Sequence, residues 1–262
     1  MKLLVKTIVF MMLFFAYIQP NLSCAQDNNI ILLAGLSKPP FIIVEEDKGI
    51  QLEIIQTALA KHNYQISFIY LPMGRQMDVY KKRHIEGLIT LSTAEIELGL
   101  YLSKPYISYQ NVVVTLADNN VNITKISDLS GMRVAGFQNA IKFLGKEYAA
   151  VFKNSNSYIE LADQKSQLTL LFTARVDALI IDINIFKHLL SLIKHEGSGG
   201  NRYGQEFVIH PLFGTIDYVA GFRHEQLQKD FDAGISEIKA NGSYQKIIDS
   251  YLLPFDLSVK ED

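Results

Sequence analysis

The strongest constraint on this chain is an alternation. From residue 30 onward, short runs rich in β-branched and aliphatic residues take turns with segments whose apolar residues recur at helical spacing. Strands are expected at residues 30–34 (IILLA), 65–71 (QISFIYL), 85–91, 112–116 (VVVTL), 133–136, 177–181 (DALII), 207–212 and 217–222. Between them, Ile50, Ile54, Ile55, Ala58 and Leu59 share one helical face, and helices are expected over 73–83, 139–152 and 182–194. Leu168, Leu171 and Phe172 mark another helix. Two more carry Phe231, Ile235 and Ile238, then Ile247, Ile248 and Tyr251. A short turn-like helix over 127–131 ends in Gly131. Strand–helix alternation of this kind implies an α/β fold with a largely parallel sheet.

The first 25 residues break the pattern. Lys2 and Lys6 precede the apolar run 7–18 (TIVFMMLFFAYI), and Ser23, Cys24 and Ala25 supply small residues before Gln26. This is the layout of a cleaved secretory signal over 1–25. A spanning helix would need about 20 apolar residues, more than this run provides. Cys24 raises a lipoprotein reading, but Asn21 stands where that motif takes an aliphatic residue, so a non-lipidated periplasmic chain is expected.

Composition narrows the function. A formal charge of −2 with no basic segment argues against nucleic-acid binding, and one cysteine supports neither a disulfide framework nor a thiolate metal site. The six histidines show no paired metal spacing, the glycines of 197–204 lack the order of a phosphate loop, and no G-x-S-x-G elbow occurs. No cofactor is expected.

Several segments, in order, resemble the extracellular solute-binding proteins of family 3, the receptors of polar amino-acid importers. They are Pro39-Pro40-Phe41 followed by Gly49 and Leu52-Glu53-Ile54-Ile55; Ile85-Glu86-Gly87-Leu88; and Thr93-Ala94-Glu95 with Leu102-Ser103-Lys104-Pro105-Tyr106. Further along come Ile126 to Val134, Ala174 to Asp182, and Asn241-Gly242-Ser243-Tyr244. The resemblance implies a two-lobed, type II periplasmic-binding-protein-like α/β fold with two hinge strands. Lobe 1 would take residues 26–110 and 219–262, and lobe 2 residues 111–218.

The resemblance also implies where a ligand contacts the chain, and here the sequence departs from it. Ile96 stands where the family's arginine clamps a ligand carboxylate, and Lys38 replaces an aromatic expected over the ligand. Isoleucine offers neither charge nor donor, so a carboxylate there would be desolvated and unpaired. Ordinary α-amino acids in the usual pose become doubtful ligands. Asp182 matches the aspartate that takes a ligand amine, or it caps the next helix. Arg75 and Lys38 are candidate anion contacts, or solvated cations. Thr90, Ser92 and Thr93 are cleft-edge hydroxyls or loop caps. Tyr70 and Phe41 stack on a ligand or belong to the core. Asn139 caps a helix, or with Gln138 precedes free N–H groups that hold an anion.

The expected function is a monomeric periplasmic receptor that closes on a small polar or anionic molecule for an ABC permease, without catalysis. Two alternatives stand beside it: a dehydratase-like enzyme on the same scaffold, and a sensor or accessory protein signalling through a membrane partner.

Overall fold

A computed structural model describes residues 28–92, 99–197 and 200–252. Its strands are β1 (Asn29–Ala34), β2 (Gln65–Tyr70), β3 (Gly87–Ser92), β4 (Tyr101–Leu102), β5 (Ile107–Leu116), β6 (Val134–Phe137), β7 (Tyr158–Leu161), β8 (Ala178–Asp182), β9 (Phe207–His210) and β10 (Thr215–Phe222). The α-helices are α1 (Ile50–Ala60), α2 (Met73–Lys82), α3 (Ala140–Phe143), α4 (Gly145–Phe152), α5 (Gln164–Phe172), α6 (Ile183–His195), α7 (Glu225–Ala240) and α8 (Ser243–Leu252). The expected signal segment and its cysteine lie outside the described residues. Among the described residues, no helix is long and apolar enough to cross a membrane.

The strands form a curled sheet in the order β2-β1-β3-β10-β5-β8-β6-β7, with β4 beside β10 and β9 beside β5. It is mixed, which corrects the expectation of a largely parallel sheet. β1 runs parallel to β2 and β3, and β6 parallel to β7 and β8. β5 and β10 run antiparallel to every strand they pair with. Parallel strands need helical crossovers, and both groups of parallel strands have them. The two antiparallel strands do a different job: they carry the chain between lobes.

Pairing along β5 shows this passage. Residues 107–110 pair with β10, whereas Asn111 to Thr115 pair with β8. β10 in turn pairs with β5 through Thr215 to Tyr218 and with β3 through Tyr218 to Phe222. Each strand therefore belongs to one half-sheet at one end and meets its crossing partner at the other. The sequence suggested only 112–116 as a strand here, because Ser108, Gln110 and Asn111 dilute the apolar run where it crosses. β4 and β7 were also not anticipated; both are short, and Tyr158-Ile159-Glu160-Leu161 does not alternate cleanly.

The continuous helix expected over 139–152 is instead two. Gly145 sits at φ 90°, the left-handed region that glycine adopts without a Cβ clash, and it separates α3 from α4. Packing follows the patterns that formed the elements. Every residue of β8 is buried, as suits a central strand covered on both faces. α1 buries Ile50, Leu52, Ile54, Ile55, Ala58 and Leu59 against the first half-sheet and α7. A second apolar cluster gathers Val134, Tyr148, Phe152 and Ile180 around β6 and α4.

Candidate functional site

A cleft of about 910 Å³ opens between the half-sheets, with the crossing strands as its floor. From β5 come Tyr109 and Asn111, and from β10 come Thr215 to Tyr218. Ser37, Lys38, Pro39 and Met73 form one wall; Phe137, Lys142, Phe143, Asp163 and Asp182 contribute to the other.

Tyr109 is the organising side chain of the floor. It is nearly buried, stacks on Phe41 with ring centroids 4.0 Å apart, and meets Tyr218 at 4.8 Å. Its hydroxyl donates to Gln51 Oε1 at 3.1 Å. Gln51, fully buried on α1, donates through Nε2 to Thr90 Oγ1 at 2.8 Å and Tyr106 Oη at 2.6 Å. A polar network this deep is stable only when its members find partners, and here it ties α1, β3 and β5 into one unit beneath the cleft. Burial raises the Tyr109 phenol well above its ordinary pKa, so it acts as a neutral donor.

Lys38 enters from the loop after β1, with its ammonium 4.9 Å from the Tyr109 ring centroid. It remains solvent-accessible through the cleft. The protein around it lowers its pKa by desolvation, an effect partly offset by the attraction of Asp182.

Asp182 ends β8 and is buried. Oδ1 accepts the backbone N–H groups of Asn184 at 2.9 Å and Ile185 at 3.1 Å, which caps α6. Oδ2 accepts the N–H of Gln110 at 2.9 Å. Burial pushes its pKa up to about 6, against the opposing pull of those hydrogen bonds and of Lys38. The two readings of Asp182 are therefore compatible, since the same carboxylate caps α6 and faces the cleft.

Of the other residues singled out from sequence, Gln138 lines the cleft, whereas Phe41, Tyr70, Thr90, Arg75 and Asn139 do not. Phe41 is buried behind Tyr109. Tyr70 is half-buried and donates its hydroxyl to Asp47. Thr90 is buried and accepts from Gln51. Arg75 stands exposed on the first turn of α2. Ser92 ends β3, opposite Tyr218. Thr93 and Ile96 lie outside the described residues.

Asn139 corrects an expectation. Its side chain makes no capping hydrogen bond, and its backbone adopts φ 65°. The Glu160 carboxylate takes the N–H groups instead, from Asn139 at 2.7 Å and Ile141 at 2.9 Å, and accepts the Tyr158 hydroxyl at 3.0 Å. The donors expected to be free for an anion are occupied by the chain's own acid. Sequence reading also missed Tyr109, Lys142, Asp217 and Tyr218 as cleft residues. The two tyrosines carry a faint signal, since each sits near the end of a β-like run.

The chain matches the family described as bacterial extracellular solute-binding proteins, family 3, over residues 30–254. An arginine-binding periplasmic protein of Mannheimia haemolytica is 23% identical over 234 residues, covering 87% of this chain and 92% of that protein. The fold is similar to the GluR0 ligand-binding core in complex with L-glutamate, with a TM-score of 0.63, 15% identity, and coverage of 85% of this chain and 96% of that one. It is also similar to substrate-binding domain 2 of Lactococcus lactis GlnP in its open conformation, with a TM-score of 0.62, 19% identity, and coverage of 87% and 97%.

Proposed function

Because this chain belongs to the bacterial extracellular solute-binding proteins of family 3, we propose that it is a periplasmic receptor that captures a small polar or anionic solute between its lobes. It then presents the solute to an ABC permease. Lobe 1 comprises residues 26–110 and 219–262, lobe 2 residues 111–218, and residues 1–25 are removed on export. The carrying observation is the 910 Å³ cleft floored by the two crossing strands, with Lys38 reaching in from one side and Asp182 from the other. A ligand that touches both walls makes some contacts only when the lobes close, and those contacts drive closure. The Mannheimia haemolytica relative is named for arginine. In this chain Ile96 replaces the family's carboxylate clamp and Lys38 its aromatic, so the ligand differs in chemistry or in pose.

The test is thermal stability of residues 26–262 against amino acids, polyamines and organic acids, with X-ray scattering to read closure. A cognate solute at a hundredfold excess over its dissociation constant adds about 2.7 kcal/mol of stability. Silence across the whole panel would overturn the receptor reading.

A further inference from the structure

The charged groups of the cleft divide unequally between committed and available. Among the described residues, each of the three acids lining the cleft accepts hydrogen bonds from its own chain. Asp182 accepts the backbone N–H groups of Gln110, Asn184 and Ile185. Asp163 accepts those of Lys165 and Ser166 and the Ser166 hydroxyl. Asp217 accepts the Ser108 hydroxyl at 2.6 Å. Among the cations, Lys165 is paired with Glu196 at 2.9 Å.

Lys38 and Lys142 are different. Neither forms an ion pair with a described residue, and each ammonium rests over an aromatic ring: Lys38 over Tyr109 at 4.9 Å, Lys142 over Phe143 at 5.5 Å. Lys38 precedes the crossing strand β5 and Lys142 follows it, so the two ammonium groups stand on opposite walls.

From this arrangement we infer that the cleft takes a small dicarboxylate lacking an α-ammonium group, held by Lys38 on one lobe and Lys142 on the other. The inference rests on the receptor reading above and assigns its ligand class. A ligand ammonium would meet acids whose oxygens are partly taken by donors of their own chain, and beside Asp182 it would also meet the repelling charge of Lys38. A ligand carboxylate needs a free donor. The backbone N–H groups at Asn139 and Ile141 are filled by Glu160, and among the described residues Lys38 and Lys142 are the cleft cations without an ion pair. Two like charges on facing walls also repel each other as the cleft narrows. A dianion between them reverses the sign of that interaction, so closure is favoured with ligand and opposed without it. A monoanion satisfies one wall only.

The experiment is calorimetric titration of the dialysed chain with succinate, glutarate, L-glutamate, L-arginine and L-glutamine, with X-ray scattering on each mixture. Succinate or glutarate is expected to bind and close the cleft, and glutarate to bind more tightly than L-glutamate. Losing a charge-assisted contact makes Lys38→Gln and Lys142→Gln each at least about tenfold weaker for the dicarboxylate. Lys146→Gln, exposed on α4 and away from the cleft, serves as the comparison. Closure on arginine or glutamine but not on either dicarboxylate overturns this inference and leaves the receptor reading standing. Tighter binding of L-glutamate than of glutarate overturns it as well, as does dicarboxylate binding indifferent to both lysine substitutions. If no solute on this panel or the wider one above closes the cleft, the receptor reading falls too.

Discussion

The carboxylate of Asp182 accepts the backbone N–H of Gln110 at 2.9 Å, across 72 residues of sequence. That bond fastens the start of α6 to the middle of a crossing strand. The residue that caps α6 is thus held against the strand along which the half-sheets join. Any change in its charge is felt at the cap, at the strand and at the cleft together.

The titration of Asp182 follows from its burial. Its native pKa of about 6 stands above the unfolded value of about 3.9, so the folded chain binds this proton more tightly than the unfolded chain does. Its contribution to stability is therefore greatest below about pH 4, declines from about pH 4 to about pH 6, and is level above that. Urea melts of the wild type and Asp182→Asn should differ by an amount that changes on the order of 2–3 kcal/mol across that window. A difference constant with pH would rule out the shifted carboxylate.

Gln51 is fully buried and its amide serves Thr90, Tyr106 and Tyr109. Gln51→Leu keeps the volume but strands the Tyr109 hydroxyl, at a cost of about 2–4 kcal/mol by equilibrium denaturation. Adding Tyr109→Phe removes the stranded group. The double mutant should then be less destabilised than the sum of the two singles; simple additivity would mean that the hydroxyl and amide do not act as a pair.

Glu160 supplies the acceptor that α3 takes from no side chain of its own. Glu160→Ala should cost about 1–3 kcal/mol, because two backbone donors and the Tyr158 hydroxyl lose a charged partner. Amide hydrogen exchange at Asn139 and Ile141 should quicken selectively. Unchanged exchange at those two amides would show that the bonds do not protect them.

Gly234 lets α7 approach α1. A Cβ built there would meet the Ala58 carbonyl oxygen at 2.2 Å, a distance no side chain tolerates. Gly234→Ala should destabilise the chain by about 3 kcal/mol despite alanine's better helix propensity, because backbone must move. A neutral or stabilising effect in thermal melts would mean that the two helices can separate at little cost.

Much of the architecture was legible in the linear pattern. α1 and α6 appear where apolar spacing places them, and β8 where Ala178 to Ile181 run together, because those signals come from residues a turn or a strand apart. The full length of β5 and the mixed sense of the sheet depend on what each segment lies against, whereas the break at Gly145 is a local turn at φ 90° that apolar spacing does not mark. Tyr70 and Thr90, attractive as ligand contacts, were taken by Asp47 and Gln51, partners that no spacing rule identifies.

By itself, then, the sequence determined the order and type of most of the elements, a family resemblance carried by short motifs, and an isoleucine at 96 where that resemblance leads one to expect an arginine. Local periodicity and side-chain chemistry suffice for each of these. Only tertiary structure decided which groups face the cleft and which are spent elsewhere. It set Tyr109 against Tyr218, gave the N–H groups of Asn139 and Ile141 to Glu160, and joined Ser108 to Asp217 across 109 residues. Such pairings follow from strand register and long-range packing, where a buried donor takes whichever acceptor the fold brings within about 3 Å.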